Sequence, residues 1–258
     1  MASLGDLQEY RAAAASVVDA ARMDLMDLYR SLQGNDPAVI RDALLEYVPV
    51  LTEQYGDVAA ALAAEWFESL PTMGWATLQP PVPRAITEGQ LRYRAGGLWR
   101  PDGTPSGLSE AAAVIGTIAG DLDEWVQRPA RGTVRESAEA SGFGWVRVPR
   151  GDKTCAFCLM LASRSGLWLY RTRESAQRRG RGQTEDKYHD HCDCQIVPAG
   201  STDDVPWDPE PFFRVYEAAV DVVGNRSDTA SILAQIRRVA PDAVTDGVRP
   251  PAPDVDDD

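Results

Sequence analysis

FGWVRV, running from Phe143 to Val148, alternates aromatic and branched residues in the manner of a strand, and it marks the point where the texture of the chain changes. Downstream of it, Gly166 to Tyr170 (GLWLY) and Gln195 to Val197 are two further short strand candidates. Beyond those, Phe212, Val215, Tyr216, Ala219 and Val222 follow helical spacing after Pro211, and Thr229 to Val239 predicts a last helix. The end of the chain from Arg249 onward (RPPAPDVDDD) is proline-rich and then acidic, a composition that predicts disorder.

Upstream, the chain reads as helix. Val18, Ala21, Leu25, Leu28 and Leu32 step by three and four, which stacks their side chains into one stripe that must pack on something. Asn35 or Asp36 before Pro37 gives a helix start, because a short polar side chain caps free N–H groups and proline suits the first turn. The second helix carries Tyr47, Leu51, Tyr55, Val58, Leu62 and Trp66 at the same spacing, with Pro49 expected to kink or split it. Proline and glycine at 80–83 and 96–107 read as connectors around a short helix at Thr87 to Arg94. A further helix is predicted over Ser109 to Gln127, ended by Pro129. A short one after it would be opened by Thr133 with Glu136 and stopped by Gly142. The fold class is therefore α+β and mainly helical: an N-terminal helical bundle (1–105), then a small α+β domain with a zinc knot and C-terminal helices (106–240), then a disordered acidic tail (241–258).

Composition sets the outer bounds. At 44% hydrophobic and 25% charged the chain falls among ordinary globular proteins, and its 258 residues can bury a core without disulfides. No run of residues reaches the length of a membrane span and nothing marks the chain for export, so a cytoplasmic birth with no membrane partner is expected. A net charge of −13 argues against a surface that binds nucleic acid all over. One basic stretch departs from this: Arg164, Arg171, Arg173, Arg178, Arg179, Arg181 and Lys187 stand against only Glu174, Glu185 and Asp186. Such a run is most simply a solvated loop, and alternatively a local DNA contact through Arg178, Arg179 and Arg181.

All four cysteines and both histidines lie between Cys155 and Cys194, as C-A-F-C at Cys155 to Cys158 and H-D-H-C-D-C at His189 to Cys194. A C-x-x-C places two thiolates on one side of a tight turn, the bite that tetrahedral zinc needs, and a second pair from a distant segment closes the site. Reducing conditions favour metal ligation over disulfides. Six candidates compete for about four positions. The favoured set is Cys155, Cys158, His189 and one of Cys192 or Cys194, with His191 as bystander and Asp190 and Asp193 as partners that orient a histidine. Zinc is the expected ion and its role structural, since abundant sulfur points to a closed site. Two other readings remain: a thioredoxin-like redox pair, which should open a helix within a βαβ unit, and buried cysteines without metal.

GWVRVP (Gly144 to Pro149), GDKTCAFCLMLASR (Gly151 to Arg164) and YHDHCDCQIVP (Tyr188 to Pro198) together resemble the core of the Mu F-like minor head proteins of tailed phages. The resemblance covers roughly residues 110–200: a C-x-x-C, a glycine with a short apolar strand, a variable loop, and a histidine ahead of a C-x-C. The histidine of that pattern corresponds to His189. The resemblance implies a structural protein of head morphogenesis, made in the host cytoplasm and carried in the virion head. It also implies the portal or major capsid protein as partners, with packaged DNA and further copies of the chain as candidates. No catalytic residue is implied; Ser163 and Ser165 lack a remote histidine. The competing functions are a metal-dependent nuclease, which would need an open metal position and a free general base, and a zinc-stabilised DNA-binding module. The seven tryptophans are dispersed and read as packing residues.

Overall fold

The computed structural model describes residues 2–71, 74, 76, 88–150, 153–163, 169–170 and 194–247. Over these residues the chain is mainly helical with a small two-stranded sheet. It divides into two compact units, of which the described parts are 2–143 and 144–247. In this division the long helix after the Gly-rich connector falls with the N-terminal helices.

The first unit is built on three long helices, α1 (Leu4–Leu32), α2 (Pro37–Ser69) and α4 (Leu108–Ala140), each packed on the other two, with the short α3 (Glu88–Ala95) against α2 and α4. Local chemistry explains where they start and stop. Ser3 and Asp6 form a reciprocal capping box at α1, which holds the Asp6 carboxyl below its usual pKa. Asp36 accepts from the Ala38 N–H at 2.7 Å with Pro37 in the first turn of α2, as the sequence predicts. At the end of α4 the Phe143 N–H reaches the Ala138 carbonyl (2.8 Å) and the Gly142 N–H reaches that of Glu139 (3.1 Å), around Gly142 at φ 76°. Those two bonds close the helix through a left-handed residue that glycine adopts without steric cost.

Two expectations about this unit are corrected, and one is extended. α1 buries Val18, Ala21 and Leu25 as the stripe predicts, and Leu7, Tyr10 and Ala14 continue that stripe towards its start at Leu4. α2 is not split at Pro49, and its buried face is rotated from the expected one. Leu51 and Trp66 are buried as expected, but Leu44, Val48, Gly56, Ala59, Ala63 and Phe67 also point inward, while Val58 is half exposed and Tyr47, Tyr55 and Leu62 lie at the margin. Small residues let the neighbouring helix approach closely, so alanine and glycine mark the interface here better than bulk does. α4 runs unbroken through Pro129, and Thr133, expected as a cap, instead donates its hydroxyl to the Pro129 carbonyl at 3.0 Å. A mid-helix proline costs about 3 kcal/mol. Burial of Trp125, Val126, Ala130, Val134 and Ala138 around it offsets that cost, at about 1.5–3 kcal/mol for each large apolar side chain.

The second unit pairs β1 (Gly144–Val148) with β2 (Gln195–Ala199), antiparallel, with Val148 opposite Gln195 and Gly144 opposite Ala199. Tyr170 adds a bridge on the other edge of β1: Trp145 and Tyr170 exchange both backbone hydrogen bonds, at 2.8 and 2.9 Å, and their rings stack. Trp145 therefore has no backbone bond left for Pro198 opposite it, which is why a proline fits in β2 without losing a ladder bond. Gly144 has no alternative there, because a Cβ would stand 2.6 Å from the Leu169 Cβ. The remaining helices, α5 (Ala156–Ala162), α6 (Glu210–Val223) and α7 (Thr229–Val239), share one apolar core of Leu159, Met160, Tyr216, Ala219, Val220, Ile232 and Ile236.

Residues 241–247 fall within the tail predicted to be disordered, yet they dock on this core. Val244 is buried and pairs in parallel with Thr154, and the Thr245 N–H donates to the Thr154 carbonyl at 3.0 Å. Composition missed them because one buried valine and a few backbone bonds leave little trace in a stretch rich in proline and aspartate.

Candidate metal centre

Cys155 caps α5 and Cys158 occupies its first turn, so the helix start fixes the spacing of the C-x-x-C. The Cys158 N–H donates to Cys155 Sγ at 3.1 Å. An N–H aimed at sulfur stabilises negative charge there, as does the positive end of a helix, and both conditions suit a thiolate ligand. Cys158 is fully buried and Cys155 partly so.

Cys194 immediately precedes β2, at the end of the ladder where β1 runs out towards the C-x-x-C, and α5 packs on β1. Arg147 lies opposite Ile196, so Cys194, two residues before Ile196, is its diagonal neighbour on the same face of the sheet. The Arg147 Nη1 donates to Cys194 Sγ at 3.6 Å, with both residues buried. Asp246, from the docked segment after α7, completes the surroundings: its Oδ1 accepts from the Ala156 N–H at 2.8 Å and its Oδ2 from Arg237 Nε at 2.7 Å. Asp246 thus ties the C-terminal segment to the turn that carries Cys155.

Of the predicted ligands, Cys155, Cys158 and Cys194 are described. His189 and Cys192 lie outside the described residues, as do His191, Asp190, Asp193 and the arginines 178, 179 and 181. Among the described residues no group of three metal-binding side chains is assembled. Sulfur is a donor type that zinc takes, and the described sulfurs stand as two at one helix start and one beside a guanidinium. The C-x-x-C does open a helix, as a redox pair would, but the described sheet is antiparallel and supplies no βαβ crossover. Arg147 and Asp246 carry no motif of their own in the sequence. The only trace of the first is a charged residue inside an otherwise apolar strand, and the second has none.

Residues 1–219 match the family described as VG15 protein. The chain belongs to the VG15 family. It is a phage-related family, and the match spans the three-helix unit, both strands, α5 and most of α6. The match supports a phage protein and not the Mu F-like minor head assignment. No curated protein and no solved structure matches the chain significantly. No described helix is long and apolar enough to cross a membrane.

Proposed function

We propose that this VG15 protein is a structural minor head protein of a tailed phage, acting in head morphogenesis at the head interior or portal vertex, with a zinc knot that stabilises its second unit. The observation that carries the reading is the phage-family match running through both units. The motif resemblance to Mu F-like proteins narrows it to the head, and the thiols at the start of α5 and β2 support the knot. The reading assigns the protein no catalysis. Its partners would be the portal or major capsid protein, with packaged DNA touched locally by the arginine-rich stretch 164–187.

Two measurements test it. Quantitative mass spectrometry of purified particles from the phage that encodes the chain should find it at a fixed ratio to the portal protein, and its absence from particles would overturn the virion reading. Elemental analysis of the purified chain should find about one zinc per chain, lost in Cys155→Ser and His189→Ala. A metal-free chain that remains stably folded would remove the knot.

A further inference from the structure

We propose that residues 241–247 act as one closed strap whose opening controls access to the Cys155 thiol. The inference concerns the turn that carries the C-x-x-C and stands whether or not the sulfurs take zinc.

The segment closes on itself. The Ala243 N–H donates to the Ala240 carbonyl at 3.0 Å. Gly247 returns onto Pro241 so closely that a Cβ there would stand 2.3 Å from the Pro241 carbonyl oxygen and 2.6 Å from its Cα. Backbone does not yield as a flexible side chain does, so glycine is needed to close the turn. That one turn reaches both neighbours of Cys155. The Thr245 N–H donates to the Thr154 carbonyl at 3.0 Å, and Asp246 Oδ1 accepts from the Ala156 N–H at 2.8 Å. Cys155 lies between them, partly buried, and is itself the cap of α5. Two anchors hold the strap: Val244, which shares the apolar core of Leu159, Ile232 and Ile236, and Asp246 Oδ2, which accepts from Arg237 Nε at 2.7 Å. α5 is fixed far more heavily, with Ala156, Cys158, Leu159, Met160 and Ala162 all buried. Segments held by few buried apolar groups open more readily than the helices they cover. The strap therefore opens while α5 stays packed, which exposes Cys155 and leaves Cys158 buried.

The test is pulsed N-ethylmaleimide labelling of the reduced full-length chain, with Cys155 and Cys158 quantified separately by peptide fragmentation. Asp246→Ala removes the bond to Ala156 and should speed labelling of Cys155 about 10-fold or more, the scale of losing a helix cap. Gly247→Ala tests whether the segment acts as one piece, because it disturbs the closure of the turn and leaves the groups that bond Thr154 and Ala156 in place. It should speed Cys155 as well, with Cys158 as slow as in wild type. If circular dichroism shows that Gly247→Ala does not fold, Val244→Ala, which weakens the apolar anchor, replaces it with the same expectation. Labelling of Cys155 at the wild-type rate in either variant overturns the proposal. So does equal acceleration of Cys158, which would mean that the whole unit opens. A parallel series in chelator separates this inference from the zinc reading: protection by metal disappears there in every sample, whereas the ratio of variant to wild type set by the strap persists. A ratio that vanishes in chelator assigns the effect to metal and removes the strap.

Discussion

Replacing Asp246 by alanine should loosen the start of α5 and free the C-terminal segment. The substitution removes a charge-assisted bond from the Ala156 N–H at 2.8 Å and the ion pair with Arg237 at 2.7 Å. The first resembles the loss of a helix cap, about 1–2 kcal/mol. The second joins side chains 31% and 35% exposed, so solvent screening limits it to about 0.5 kcal/mol. Together these come to about 2 kcal/mol, or a factor of about 30 in an opening equilibrium. Amide hydrogen exchange measures this directly, because the bonded N–H belongs to a single residue next to Cys155 and the reading does not require the two units to unfold together. Exchange at Ala156 should quicken about 30-fold by this arithmetic, and protection of the Thr245 N–H should fall with it. Asp246→Asn, which keeps the acceptor and loses the charge, should give roughly half the free-energy effect. Unchanged protection at Ala156 and Thr245 in Asp246→Ala would refute the strap.

Other outcomes follow from the helical unit. Phe67 is fully buried in α2, and Phe67→Ala should cost about 3–5 kcal/mol in denaturant unfolding. The rotated face of α2 gives a paired test in the same assay: Ala63→Leu should destabilise by about 1–3 kcal/mol through overpacking, while Val58→Ser, at a half-exposed position, should stay within about 0.5 kcal/mol. Tyr55 donates to Asp24 at 2.7 Å, and that bond pushes its pKa up to about 12. The raised value favours the protonated phenol in the folded state. Its stabilising contribution is therefore complete below the unfolded value near 10 and is lost as pH rises through about 12. A tyrosinate absorbance titration of wild type against Tyr55→Phe should show one phenol ionising late, and identical curves apart from amplitude would contradict it.

Much of the candidate site is legible in the chain itself. Two cysteines three apart, with four thiols and two imidazoles crowded between residues 155 and 194, carry a ligand pattern that local spacing alone reveals. The strand at 144–148 and the helix over Thr229–Val239 are equally plain, because period-two and period-3.6 patterns survive in short apolar runs. What supports the thiols is not legible in this way. Arg147 reaches Cys194 across 47 positions of sequence, and Asp246 reaches Ala156 across 90.

By itself the sequence determined where elements begin and end where short-range chemistry decides it: side-chain caps from Ser3 and Asp6 at α1, Asp36 at α2 and Asp228 before α7, and the left-handed backbone of Gly142 after α4. Those signals act over three or four residues, so they are the same in any fold. Only the tertiary structure decided that α4 would pass through Pro129, that α2 would bury its alanines rather than Val58, that 241–247 would dock, and that a buried guanidinium would stand beside Cys194. Each of these weighs a local penalty or preference against burial supplied by a distant segment, and that burial exists only once the segments have packed together.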